Sequence, residues 1–304
     1  PVAPEDAALK DGSVFDDPDD SISDKLSKGM TSLEAALGQP GDPAVVHGEE
    51  AIRMFSAARY VLAQENRSTR EDPGWNLANH GTAVGYVFAR KYPMALEYLN
   101  RLASPPDRAA TINRVVVLLQ LREEKLEAIK LLLGLLESDP DGKDGYAVNL
   151  LGTALGRYQE ETIQKEKELR DAKNVYAAIV KKLTMQHPGE RRWGVRWVPN
   201  REYEDYVREA TFQKNQLADL ERKLRIARGR ITEYTGRPQQ AAQLETAKAD
   251  EQTGLRLIAD LRATMTTEEW LNPDQIVPVL PDVTSVNNAS RNAATQPTTT
   301  TAAQ

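Results

Sequence analysis

The chain has 304 residues, of which 40% are hydrophobic, 6% aromatic and 28% charged, lean values for a protein packed along its whole length. With no cysteine, three histidines and a formal charge of −6, it excludes a disulfide framework, a thiolate zinc site, an iron–sulfur cluster and a cysteine nucleophile, and argues against wholesale wrapping of nucleic acid. No apolar run approaches the roughly 20 residues a membrane span needs.

Residues 1–24 hold eight acids against the single base Lys10, with Pro1, Pro4 and Pro18 interspersed. Such a stretch buries too little apolar area to offset its ordering entropy, so it is expected to be a disordered acidic arm. Asp16–Asp20 lacks the alternating acids, central glycine and closing glutamate of an EF-hand loop. Apolar residues then recur three and four apart: Ile22, Leu26, Met30, Leu33 and Leu37 on one helix, Val45, Ile52, Phe55 and Leu62 on the next, with Gly38–Gly41 between. No alternating run is long enough to seed a sheet, and the expected fold class is all-α.

Over residues 76–158 the pattern repeats. Setting Ala95 on Ala128 brings Tyr86 onto Leu119, Leu99 onto Leu132 and Leu102 onto Leu135, a constant offset of 33 residues. Each unit is two short helices, 76–90 with 93–103 and 108–121 with 124–138, and a third first helix appears at Val148, Leu151-Gly152 and Leu155. This resembles the tetratricopeptide repeat, carried here by Asn79, Thr82-Ala83, Tyr86, Ala95, Leu99 and Pro105-Pro106, and again by Ile112, Val115-Val116, Leu119, Ala128, Leu132 and Pro140. The resemblance implies a short α-solenoid over residues 25–158. It also implies a groove lined by first helices, with Asn79, Thr82, Tyr86, Asn113 and Asn149 as candidate partner-binding residues.

From 159 to 237 the chain becomes charged. Leu169, Ala172, Tyr176, Ile179 and Leu183 keep helical spacing up to His187-Pro188-Gly189. Tyr203, Tyr206, Ala210, Gln213, Leu217, Leu220, Leu224, Ala227, Ile231 and Tyr234 then form a heptad seam. Two such legs predict a long antiparallel coiled-coil hairpin. Its connector, 188–200, gathers Arg191, Arg192, Trp193, Arg196 and Trp197 ahead of Arg201, and residues 181–237 carry 14 bases against 8 acids. A small two-stranded flap is expected there. Its tryptophans either plug the open end of the hairpin, or form a recognition tip for a protein partner, or stack on single-stranded nucleic acid or meet anionic lipid. Residues 238–281 are expected to supply a packing helix and a short C-terminal helix opened by Thr266-Thr267-Glu268-Glu269. Residues 282–304 are expected to form a disordered threonine-rich tail.

No phosphate loop, nucleophile elbow, paired-histidine zinc helix or dinucleotide fingerprint occurs, so no catalytic residue, metal or cofactor is assigned. Asp139–Gly145 reads as the turn after a repeat, and His80 as a packed or groove-lining residue. The expected function is a non-enzymatic interaction scaffold holding a peptide or a neighbouring subunit, with homo-oligomerisation between the acidic arm and the basic hairpin. A helical enzyme or enzyme accessory is the alternative, and single-stranded nucleic-acid binding through the tip a second one. A cysteine-free chain with a polar start fits export, to the periplasm or the cell surface, better than the cytosol.

Overall fold

The structure, a computed structural model, describes residues 21–102, 106–121, 125–139, 141–158 and 160–282. The acidic arm up to residue 20, the tail from residue 283, Pro105 and Pro140 lie outside the described residues. The chain is all-α, with eleven α-helices and one two-stranded ribbon among the described residues. It divides into two compact units, residues 1–179 with 271–304 and residues 180–270.

The first unit opens with α1 (Ile22–Gly38), whose start is fixed by a capping box: the Ser21 hydroxyl accepts the Asp24 N–H at 3.1 Å while the Asp24 carboxylate accepts the Ser21 N–H. Ser21 and Asp24 therefore belong to the helix rather than to the arm. Helix α1 packs on α2 (Asp42–Gln64) and α3 (Pro73–Phe88) around Leu26, Leu33, Phe55, Leu62, Leu77 and Val84. Leu37, expected on the buried face, is 43% exposed.

Helices α2 and α3 touch through glycine. A Cβ on Gly48 would lie 2.8 Å from the Gly85 carbonyl oxygen, and one on Gly85 would lie 2.9 Å from that of Gly48. Only two hydrogens fit between these backbones.

The repeat region follows as α3 with α4 (Tyr92–Leu99), α5 (Arg108–Leu121) with α6 (Lys125–Glu137), and α7 (Gly145–Gly156) with α8 (Glu160–Lys165). An aspartate caps each first helix: Asp72 accepts the Trp75 N–H at 2.9 Å, Asp107 that of Ala110 at 2.7 Å, and Asp144 that of Ala147 at 3.1 Å. Ala83, Ala95 and Ala128 are fully buried and Gly152 is buried too, consistent with their expected place where paired helices approach most closely. Helix α9 (Lys167–Thr184) buries Leu169, Ala172 and Ile179 and pairs its Glu168 with Lys130 of α6 at 3.2 Å.

In the second unit, β1 (Glu190–Trp193) and β2 (Arg196–Pro199) pair antiparallel, with Trp193 opposite Arg196 and Arg192 opposite Trp197. Helix α10 (Asn200–Tyr234) turns at Gly236, where φ is +81°, into α11 (Ala241–Thr264). Every expected seam position from Tyr203 to Tyr234 is buried or half-buried, Gln213 and Ala227 being the buried ones. The seam of α10 is covered by α11, because the 235–240 turn folds that helix straight back; Arg228–Glu251 and Arg262–Glu221 bridge the pair at 2.8 and 2.9 Å. The long antiparallel hairpin therefore has α10 and α11 as its legs, where the heptad spacing had suggested residues 160–187 and 203–234.

The expected helix at Thr266–Glu269 does not form. Those residues are extended because their main chain is used elsewhere: Trp193 donates its indole N–H to the Thr267 carbonyl and Val195 its N–H to that of Glu269. The capping box forms instead at Asn272–Gln275, around a single 3-10 turn. No helix among the described residues is long and apolar enough to cross a membrane.

Gly48→Ala is expected to destabilise the first unit by about 1–2 kcal/mol, overpacking outweighing the better helix propensity of alanine. Gly229→Ala, on α10 with nothing within 4 Å of its added methyl, is expected to stabilise by up to about 1 kcal/mol. Urea unfolding of the two variants reads both signs.

Candidate functional site

Residues 271–281 run as a strap along the first helices of the repeat region, held by side chains that reach its main chain. Thr153 of α7 accepts the Leu271 N–H at 3.2 Å, and Gln120 of α5 donates to the Pro273 carbonyl at 3.0 Å. The Tyr146 hydroxyl of α7 donates to the Val277 carbonyl at 2.6 Å. Asn113 of α5 closes a two-way pair with Val279, donating to its carbonyl and accepting its N–H, both at 2.7 Å.

The spacing follows from helix geometry. Asn113 with Gln120, and Tyr146 with Thr153, are each seven residues apart, almost two turns, so each helix turns both groups to one face. The two pairs are themselves offset by 33 residues, as are His80 and Asn113, which meet at 2.8 Å. The strap side chains complete the fit: Ile276, Pro278 and Pro281 are buried, Val277 faces outward, and Leu280 packs against the cluster formed by α1, α2 and α3.

Asn113 is fully buried, and its amide orientation is set by Val279. With Oδ1 accepting the Val279 N–H, Nδ2 must face both the Val279 carbonyl and His80 Nε2 and donate to each. His80 Nε2 is then an acceptor, which makes the ring neutral with its proton on Nδ1. Its environment agrees: burial pushes the His80 pKa down from 6.5 to about 4, against an opposing pull from Asp107. Burial likewise pushes the Tyr146 phenol up to about 12, so that it remains a donor.

Of the expected groove residues, Asn113 grips the strap, and Asn149 holds the Thr153 hydroxyl through its carbonyl at 2.8 Å. Asn79, Thr82 and Tyr86 lie in the core of α3 instead. Asn79 donates to Trp75 O at 2.8 Å, Thr82 to Ala78 O at 2.7 Å, and Tyr86 packs its ring 5.5 Å from that of Tyr98. At the 33-residue offset Asn79 falls on Ile112 and Thr82 on Val115, both core positions, whereas His80 falls on Asn113. Gln120, Tyr146 and Thr153 are absent from the sequence reading, which does name His80 as a packed or groove-lining residue; polar groups seven and 33 residues apart on otherwise apolar helices mark all four.

At the expected tip, Trp193 is 6% exposed. Its ring meets Tyr203 edge-on at 5.9 Å and Tyr206 at 5.4 Å, and Trp197 stacks on His187 at 4.0 Å. Gly194, at φ +64°, lies so close to Glu269 that a Cβ would overlap its backbone. Arg196 pairs with Glu269 at 2.6 Å, Arg191 lies 5.5 Å from the Tyr203 ring and Arg192 lies 6.0 Å from that of Trp197. Arg201 is exposed. The two tryptophans are thus packed against residues of their own unit, Trp193 on Tyr203 and Tyr206 and Trp197 on His187.

No protein-family model, curated protein or solved structure matches the chain. The geometry of the strap and its groove is therefore the ground for a functional reading.

Because folded His80 stays neutral down to about pH 4 while the unfolded chain protonates it near 6.5, its contribution is intact above 6.5 and is lost as pH falls towards 4. The loss amounts to about 3 kcal/mol in all. His80→Gln is expected to remove that component, which denaturant midpoints at neutral and acid pH measure. Trp193→Ala is expected to cost about 3 kcal/mol, and exposed Arg201→Ala less than about 0.5 kcal/mol; equal effects would contradict the packing of Trp193.

Proposed function

We propose that this protein is a non-enzymatic interaction module whose repeat groove takes an extended polypeptide segment. The observation that carries the reading is the two-way pairing of the Asn113 carboxamide with Val279. One side chain supplies the donor and acceptor that a neighbouring β-strand would offer, so an extended backbone is what the groove is built to hold. Gln120, Tyr146 and Thr153 support the same reading, since they too address main-chain groups. Recognition of this kind tolerates many sequences, with selectivity left to the pockets that receive alternate side chains. The repeat scaffold supplies rigidity: its small buried residues hold the first helices at the separation on which the rungs depend.

Selection of random peptides of about twelve residues on the full chain is expected to enrich extended, aliphatic and proline-containing sequences. Their affinity, read by fluorescence anisotropy, should fall at least about tenfold on a Gln120→Ala/Tyr146→Phe chain that keeps its circular dichroism. Enriched peptides that bind both chains equally would place the binding site outside this groove.

A further inference from the structure

Helices α10 and α11 bury little against each other: along both, only Gln213, Ala227, Ala247 and Ile258 are buried. Arg228–Glu251 and Arg262–Glu221 close one edge of their seam. Arg230 is two residues on from Arg228, about 200° round the helix, and so stands on the other edge. That edge opens into a groove of about 410 Å³. Leu220, Leu224 and Gly254 line it half-buried, while Ile226 and Leu257 are 51% and 41% exposed. Apolar side chains left together in solvent in this way mark a surface that another protein covers.

Two further features say what covers it. The charges on the groove are Lys223 and Arg230 on the α10 wall and Asp250 on the α11 wall. Lys223 is held by Asp219 of its own helix at 2.8 Å, whereas the side chains of Arg230 and Asp250 make no ion pair or hydrogen bond among the described residues. One uncommitted base and one uncommitted acid on facing walls make the groove complementary to itself. Gly254 is the second feature. A Cβ there would meet only Leu224, at 3.6 Å and beyond, so the hairpin itself has no need of a residue that weakens its helix. Bare backbone on the groove wall suits the close approach of another helix.

We propose that a second copy of the chain covers this face, two α10–α11 hairpins packing groove to groove about a two-fold axis parallel to their helices to form a four-helix bundle. Rotation about such an axis exchanges the walls and leaves heights unchanged, so α10 of each copy lies antiparallel to α11 of the other. Because Arg228 bonds Glu251 of its own chain, Arg230 and Asp250 stand at nearly one height. The rotation therefore sets Arg230 of each copy against Asp250 of the other, and buries Ile226 and Leu257 between them. The peptide-groove reading is not needed for any of these steps.

Sedimentation of the full chain between about 2 and 200 µM tests the proposal, since a contact about 15 Å of helix long, over residues 220–230, belongs with the weaker interfaces. A dimer that grows with concentration is expected. Ile226→Glu/Leu257→Glu, at positions exposed in the single chain, should weaken it at least about thirtyfold with circular dichroism unchanged. Arg230→Glu and Asp250→Arg should each weaken it about fivefold, and the two together should restore it. The chain has no cysteine, so an Arg230→Cys chain mixed with an Asp250→Cys chain should be joined by a short bismaleimide far more than either chain alone. A chain monomeric throughout, a dimer indifferent to Ile226→Glu/Leu257→Glu, charge reversals that do not rescue each other, or equal cross-linking of mixed and separate chains would each overturn the proposal.

Discussion

The carboxamide of Asn113 has two N–H donors and one oxygen, and the structure engages all three groups at a position with no solvent exposure. A bond left unmade there would cost about 1–3 kcal/mol, so the arrangement is close to all-or-none. Val279 fixes which way the amide faces, the amide fixes that His80 must accept, and His80 can accept only when neutral. Strap, helix and imidazole are thereby coupled through one side chain. The same burial that makes His80 a poor proton binder makes it a dependable partner for Asn113.

A second buried carboxamide does similar work in the other unit. Gln213 interrupts the apolar seam of α10, which by the heptad pattern alone weakens the hairpin. In the structure its Oδ-type role falls to Oε1, which accepts the Thr266 N–H at 2.6 Å, while Nε2 is bonded to Glu209 at 2.7 Å. The polar residue marks the place where the chain leaves α11 and turns extended. From there Thr267 and Glu269 reach the ribbon, and a segment with the spacing of a helix start becomes a backbone partner for Trp193 and Val195. Tertiary hydrogen bonds have overridden a local capping preference, as they can where that preference is worth only about 1 kcal/mol.

Much of the architecture was legible in the sequence. Helical periodicity gave the fold class, the 33-residue offset gave the helix pairs, and the heptad seam of α10 is buried or half-buried at every expected position. Two kinds of feature were not legible. The partner of the α10 seam depends on the turn at 235–240, and nothing in the heptads themselves distinguishes α9 from α11 as the second leg. The strap was hidden because residues 271–281 have no period of their own: three prolines, a 3-10 turn and an extended run acquire order only from the helices beneath them. Of the groove residues, Asn113 was recognisable as a polar side chain on an apolar helix, but Asn79 stands one residue before His80, the residue that meets Asn113. On a helix one residue is 100°, enough to move a side chain from the groove to the core.

The chemistry of the strap also explains how a segment with no helix or strand of its own is held in one place. Its prolines at 273, 278 and 281 have no N–H to satisfy, and their fixed φ narrows the conformations available before docking, so less entropy is lost on laying the segment down. The Val277 carbonyl accepts from Tyr146, while the Pro273 carbonyl accepts both Gln120 and the Ile276 N–H of the 3-10 turn, so the groove and the strap's own local structure hold the segment together.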